Sequence, residues 1–412
     1  MFLLWLIIIL AILLDFITER GFHKTFPQFA SVRRKSIRRV LIVQLAVSVA
    51  VILCGIIFSN KISDYRILTW YSYIFGCVAA LYIPKSVYAL FLLLDRLIQI
   101  RRHPHRQNRR HIAAKCGFWA GIVTIFIVFW GILFGKYNCT IDRVEISFDH
   151  LPVAFDGYKI VQISDVHAGS FAGSFSYFQK ATDLINSQQP DLIVFTGDLI
   201  NNFADETIPL IPIFSQLYAR DGKYAILGNH DYGGYYNWKS SADSVNNLEA
   251  LKNAIKQMGF ILLNNQSETI IRGHSDSIAL IGAENWGYGK KRPKYANLEQ
   301  AMEKVQDIPF KLLLSHDPWF WKDKVKNKTD ITLTLSGHTH GMQIGVKIGK
   351  KHYSVGFLNR IRYLSGLYHT NEQYLYVNRG IGVIGFPGRI GISPEITVIT
   401  LRHGKTGSER SK

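Results

Sequence analysis

Cysteine is scarce in this chain. Four occur in 412 residues, Cys54, Cys77, Cys116 and Cys139, and the first three lie in or beside apolar runs. No even, closely spaced set and no Cys-x-x-Cys pair is present, which excludes a disulfide framework and a thiolate zinc module. Acidic residues are scarce in one region. Residues 1–136 hold 4 Asp and Glu against 18 Lys and Arg, whereas the remaining 276 hold 26 against 30. The net charge of +18 therefore belongs to the first third. It argues for no nucleic-acid groove in the rest. A basic start is also missing. Nothing cationic precedes the apolar run Phe2 to Leu14, so it lacks the charged opening of a secretory signal peptide.

Long apolar runs are what the first third does contain. A hydrocarbon core of ~30 Å takes about 20 helical residues. Spans are expected at about 2–17, 40–59, 67–94 and 116–135, the first of them short and the third kinked at Pro84. Seven Lys and Arg fall in residues 18–39 and seven in 96–115, while the connection 60–66 holds only Lys61 and Arg66. The positive-inside rule turns the first and third connections to the cytoplasm. Four crossings then place both termini, and everything after residue 136, outside a cell membrane. The same connections suit contact with anionic lipid. His103, His105 and His111 lie among them without acidic or thiolate company and read as topology rather than as a metal site.

From Lys136 onward short β runs alternate with helical stretches, expected at 175–188, 208–219, 244–258 and 297–305. Five apolar runs end in polar residues. Tyr158–Ser164 leads into Asp165-Val166-His167, Asp191–Thr196 into Gly197-Asp198, and Tyr224–Leu227 into Gly228-Asn229-His230-Asp231. Phe310–Ser315 leads into His316-Asp317, and Ile331–Ser336 into Gly337-His338-Thr339-His340-Gly341. In open α/β sheets, sites lie at the C-terminal ends of strands. The donors are oxygen and nitrogen with no thiolate, a set that suits Mn, Fe, Zn or Co.

The ordered blocks D-x-H, G-D, G-N-H-D, H and G-H-T-H resemble the calcineurin-like metallophosphoesterase superfamily over roughly Val144 to Leu401. Leu151–Tyr158, Asn378–Gly382 and Ser393–Thr397 resemble its bacterial YkuE/YaeI-like branch. Met342 departs from that branch, which usually carries a second Gly there. The resemblance implies a four-layer α/β sandwich metallophosphoesterase domain over 137–405, and the apolar runs before it read as a four-helix transmembrane region, 1–136. A polar, disordered tail is expected at 406–412.

The resemblance also implies two divalent metal ions, which at roughly 3.5–4 Å apart need a bridging carboxylate. Asp198 would be that bridge. Asp165, His167 and His340 would complete one ion, and Asn229, His316 and His338 the other. A water between the ions would lose a proton and attack phosphorus in line. His230 would stabilise the transition state or protonate the leaving oxygen, with Asp231 orienting it. Asp231 also reads as a helix cap. Arg379 and Arg389 are candidates for binding a substrate phosphate. The aromatic, glycine-bearing stretch 232–239 reads as a lid or as a packed surface loop.

The expected function is a membrane-anchored phosphoesterase acting on a phosphodiester or pyrophosphate, with a lipid-linked or envelope substrate and the bilayer as its partner. A nuclease of the same superfamily is the first alternative, and the +4 balance of the later residues argues against strong nucleic-acid binding. A non-enzymatic membrane sensor is the second, and the complete ligand set argues against it.

Overall fold

The computed structural model describes residues 2–29, 34–58, 62–102, 111–171, 173, 175–273, 275–287, 294–349, 351–357 and 362–405. The basic stretch 103–110, with His103 and His105, and the tail 406–412 lie outside the described residues. The chain forms two compact units. One comprises Met1–Lys61 and Trp70–Leu133, the other Ile62–Thr69 and Phe134–Lys412.

The first unit is helical: α1 (Phe2–Thr25), α2 (Arg34–Phe58), α3 (Tyr65–Arg102) and α4 (Ile112–Leu133). Among the described residues, Arg38–Gly55, Tyr65–Arg101 and Ile112–Tyr137 are long and apolar enough to cross a membrane. The fourth helix, α1, has side chains at 2–7 outside the description. It continues past the expected end at residue 17 because Asp15 is no stop. Lys85 Nζ lies 2.6 Å from Asp15 Oδ1 and 2.9 Å from Gln44 Oε1, so the buried charge is partnered within the bundle. Pro84 sits inside the single helix α3.

The second unit is built on two six-stranded sheets. Its strands are β1 (Thr140–Phe148), β2 (Lys159–Ile163), β3 (Leu192–Phe195), β4 (Lys223–Ala225), β5 (Ile261–Leu262), β6 (Gln266–Arg272), β7 (Asp276–Ala283), β8 (Lys311–Ser315), β9 (Leu333–Ser336), β10 (Gly345–Ile348), β11 (Lys351–Ser354), β12 (Gly366–Thr370), β13 (Gln373–Val377) and β14 (Glu395–His403). One sheet runs β1-β14-β2-β3-β4-β5, the other β12-β13-β9-β8-β7-β6, and β10 pairs with β11 alone. The central strands β2, β3 and β4 are parallel, as are β7, β8 and β9.

Alternation along each strand makes the layers. Ile160, Leu192 and Val194 from the first sheet meet Leu312, Leu314, Leu333 and Leu335 from the second in a shared core. The intervening residues Val161, Ile163, Ile193 and Phe195 face the opposite way. There they meet α5 (Ser176–Asn186), the single turn α6 (Ile211–Phe214) and α7 (Ser241–Gln257). Leu313, Leu375 and Val377 pack outward on Trp321 and on α8 (Leu298–Met302) through Ala301. The order is helix, sheet, sheet, helix. The helix expected over 208–219 is one turn long, Ile211–Phe214, with Pro212 in its first turn, where its missing N–H costs no helical bond.

Candidate metal centre

The turn after β2 carries Asp165 and His167, the turn after β3 carries Asp198, and the segment after β4 carries Asn229 and His230. His316 follows β8, and His338 and His340 follow β9. Gln162 of the first sheet donates across the core to the Ser336 carbonyl at 2.9 Å, which helps fix the two sheet ends side by side. The turns are tight. Asp165, His167, Asp198, His338 and His340 all hold positive φ, from 45° to 73°. Non-glycine residues in that region carry strain on the order of 1–3 kcal/mol each, tolerated where the surroundings dictate them. Gly197 (φ 94°) and Gly228 let two turns touch. A Cβ on Gly197 would lie 2.5 Å from Gly228 N, and one on Gly228 would run into the Asp198 carboxylate.

Two donor groups result. Asp165, His167 and His340 place one atom each within 4.8 Å of one another, and so do Asp198, His316 and His338. Asn229 Oδ1 joins the second group, 3.1 Å from His316 Nε2. Asp198 Oδ2 lies 3.2 Å from His316 Nε2 and 3.6 Å from His167 Nε2, so a single oxygen faces both groups.

The ring orientations fit cations. His316 Nδ1 donates to the Thr196 carbonyl at 2.7 Å and His167 Nδ1 to Asn201 Oδ1 at 2.9 Å, which turns both Nε2 atoms inward. His167 Nε2 faces His340 Nε2 at 3.1 Å, a pairing of ring nitrogens that a cation between donors accounts for. Charge points the same way. Burial opposes ionisation of Asp198, yet His316 and His230 hold its carboxyl well below the usual range. Burial likewise opposes ionisation of Asp165, and His340 holds it low. Burial keeps His167 neutral. Against burial, the Asp198 carboxylate raises His316 to about 10, and a cation at that position takes the place of its proton. Two groups of oxygen and nitrogen donors, one carboxylate facing both, can hold two metal ions.

Comparison with known proteins decides the family. Residues 158–342 match the calcineurin-like phosphoesterase family. The chain is 34% identical to the metallophosphoesterase YkuE of Bacillus subtilis over 261 residues, 61% of this chain and 82% of that one. The chain belongs to the calcineurin-like phosphoesterase family. It is thus a hydrolase of phosphoric esters, and residues 1–136 match the family described as "Probable Calcineurin-like phosphoesterase, transmembrane domain", which makes it a membrane protein. A zebrafish transmembrane protein with a metallophosphoesterase domain is 28% identical over 68% of this chain, which spans 61% of that protein's length. The UDP-2,3-diacylglucosamine pyrophosphatase LpxG of Chlamydia trachomatis is 29% identical over 57% of this chain and 80% of its own.

Three expectations for this phosphoesterase need correction. Asp231 does not orient His230. Its oxygens accept the N–H groups of Asp198, Leu199 and Gly228, each at 2.8 Å, and of Ile200 at 3.3 Å. Asp231 therefore ties the β3 turn to the β4 turn. Burial and the Asp198 charge push its carboxyl up to about 7, against those backbone donors. His230 is held by Asn201 instead, whose carbonyl lies 2.9 Å from Nδ1. Arg379 and Arg389 are not available to a substrate. Arg379 is buried between Asp142 Oδ2 and Glu395 Oε2, each at 2.9 Å. Arg389 is buried too, and its Nη2 donates to the carbonyls of Arg379 at 2.7 Å and Gly382 at 2.6 Å.

Two residues escaped the sequence reading. Asn201 holds both His167 and His230. Glu206, fully buried, accepts the N–H groups of Gly169, Asn201, Asn202 and Phe203 at 2.6–3.0 Å and so shapes that loop. Burial raises its carboxyl while these donors lower it. An acid three residues beyond an aromatic in a loop gives no periodic signal. In the aromatic loop, Tyr235 stacks on His230 with ring centres 4.3 Å apart and accepts from Asn229 Nδ2 at 2.9 Å. Trp238 donates to the Gly233 carbonyl and packs on Phe203, which anchors the loop's far side.

Proposed function

We propose that this protein is a dinuclear-metal phosphoesterase, anchored by four membrane crossings, whose catalytic unit faces outward and cleaves a phosphodiester or pyrophosphate of a lipid-linked envelope substrate. The observation that carries the reading is Asp198 Oδ2 facing both donor groups. In it Asp165, His167 and His340 would hold one ion, Asn229, His316 and His338 the other, with Asp198 serving both. Two bound divalent ions supply an activated water and neutralise phosphate charge. The chain supplies the rest. His230, its Nδ1 proton donated to the Asn201 carbonyl, directs Nε2 toward the open side of the site. There the doubly protonated ring would give its Nε2 proton to the leaving oxygen and be left neutral, a step that matters most when an alkoxide leaves. Tyr235 and Asn201 keep that ring from turning.

The basic connections support the outward orientation through the positive-inside rule. The membrane unit supports a lipid-linked substrate, and so does the chlamydial relative, whose name gives a diacylated nucleotide sugar as what it cleaves. The test uses the full-length protein stripped of metal and reloaded with Mn, Zn or Fe. It is assayed on a phosphodiester, a pyrophosphate and a phosphomonoester. Metal-dependent cleavage is expected, with diester or pyrophosphate preferred. His230→Ala should lose roughly 10²–10⁴-fold in kcat, and Asp198→Asn should lose activity together with metal content. Undiminished activity in Asp198→Asn, or no metal bound by the parent, sinks the reading.

A further inference from the structure

We infer that the helical unit carries a binding groove for the phosphate headgroup of an anionic phospholipid, at the end of the bundle that bears the two basic connections. A cavity of about 740 Å³ opens between α1 and α3. Its cations are Arg20 and Lys24 on α1 and Arg96 on α3. Its walls include Phe16, Ile17 and Leu93, all exposed by 46% or more. Phe16, Arg20 and Lys24 are spaced by four residues, so they line one face of α1 at about 5.4 Å per turn. The apolar wall thus lies deeper along the helix than the cations. Gly21 closes the floor, because a Cβ there would run into Leu92.

The charges of the groove lack a counter-ion. Among the described residues, Arg20, Lys24 and Arg96 join no ion pair. The nearby Glu19 is engaged with Arg38 at 2.9 Å. Asp95, the carboxylate lining the groove, is buried, and its Oδ2 lies 2.6 Å from Gln99 Nε2 and 2.9 Å from His111 Nδ1. The Arg20 guanidinium lies over the Phe16 ring at 4.2 Å, which holds it above the apolar wall. A compact anion answers the three cations, and an acyl chain answers the walls below them. Free phosphate would leave the walls uncovered, and a zwitterionic lipid would bring its own ammonium against the three cations. The five other Lys and Arg in residues 18–39 and the six others in 96–115 concentrate anionic lipid at this end.

The inference rests on the membrane unit and not on the reaction. Its test is lipid retention by the full-length protein in detergent, read by native mass spectrometry, with phosphatidylglycerol, phosphatidylcholine and inorganic phosphate as probes. Phosphatidylglycerol should be retained on the order of tenfold better than phosphatidylcholine, and millimolar inorganic phosphate should not displace it. Changing Arg20→Gln, Lys24→Gln and Arg96→Gln together should abolish the preference. All three side chains are exposed, so helicity by circular dichroism should not change. Removing three exposed charges elsewhere, Arg39→Gln, Arg101→Gln and Lys115→Gln, should leave the preference intact. Equal retention of the two lipids, displacement by phosphate, or an equal loss in both triple variants would overturn it.

Discussion

At the scale of single residues, His230 is gripped from two sides, by the Asn201 carbonyl and by the Tyr235 ring. Tyr235 also pins the amide of Asn229. Tyr235→Phe keeps the stack and loses the hydrogen bond to Asn229. Metal retention against a chelator should fall by about 10-fold or more while the pH profile of kcat holds. Tyr235→Ala should disturb both. His338 stands at φ 73°. His338→Gly should therefore be more stable than His338→Ala by about 1 kcal/mol in urea unfolding, although both lack the ring. A third residue sets a pH dependence. Burial and Arg379 lower His352 from 6.5 to about 4. The folded chain keeps it neutral where an unfolded chain protonates it. Its contribution is thus complete above about 6.5 and is lost as pH falls toward about 4. Unfolding followed across that window should show a shallower acid loss in His352→Gln than in the parent.

At the scale of elements, the segment after the β3 turn holds one short 3-10 turn, Ala204–Thr207, and the buried Glu206 carboxylate takes the N–H groups of Asn201, Asn202 and Phe203 that lead into it. Removing Glu206 orphans four backbone N–H groups. Glu206→Ala should cost about 3 kcal/mol or more and should lower kcat through the displaced Asn201. Glu206→Gln, which keeps an acceptor, should lose less in the same denaturation experiment. This element was illegible in the sequence because its order comes from one acid rather than from a repeat. The strands were legible for the opposite reason. Leu312-Leu313-Leu314 is buried on both faces and reads as an unbroken apolar run whichever sheet it joins. The run 208–219 reads as a helix, yet only Ile211–Phe214 forms an α-turn.

At the scale of the whole molecule, the sharp change in charge balance near residue 136 falls close to the boundary between the helical unit and the α/β unit. Topology reporters fused after residues 60 and 405 should report the outer side, and one inserted near residue 105 the cytoplasm. Metal removal belongs to this scale as well. If each ion is present at about 100 times its dissociation constant, each stabilises the fold by about 2.7 kcal/mol. A chelator should lower the unfolding temperature of the parent and leave that of Asp198→Asn nearly unmoved.

The sequence by itself determined the membrane helices, the motif strands and the family, because apolar length, two-residue alternation and motif order are local properties of a chain. It also put every candidate donor at a strand end. Tertiary structure alone decided which of those side chains meet. Asp198 faces His316 only because two sheets stack with their parallel ends together. Arg379 was removed from the substrate's reach by Glu395 and by Asp142, 237 residues away in the chain, and Arg389 by backbone carbonyls seven to ten residues before it. A carboxylate or guanidinium carries its charge in any sequence, but its partners follow from packing. So Asp231 became a backbone tie, and a lipid-sized groove took shape where Gly21 lets two helices touch.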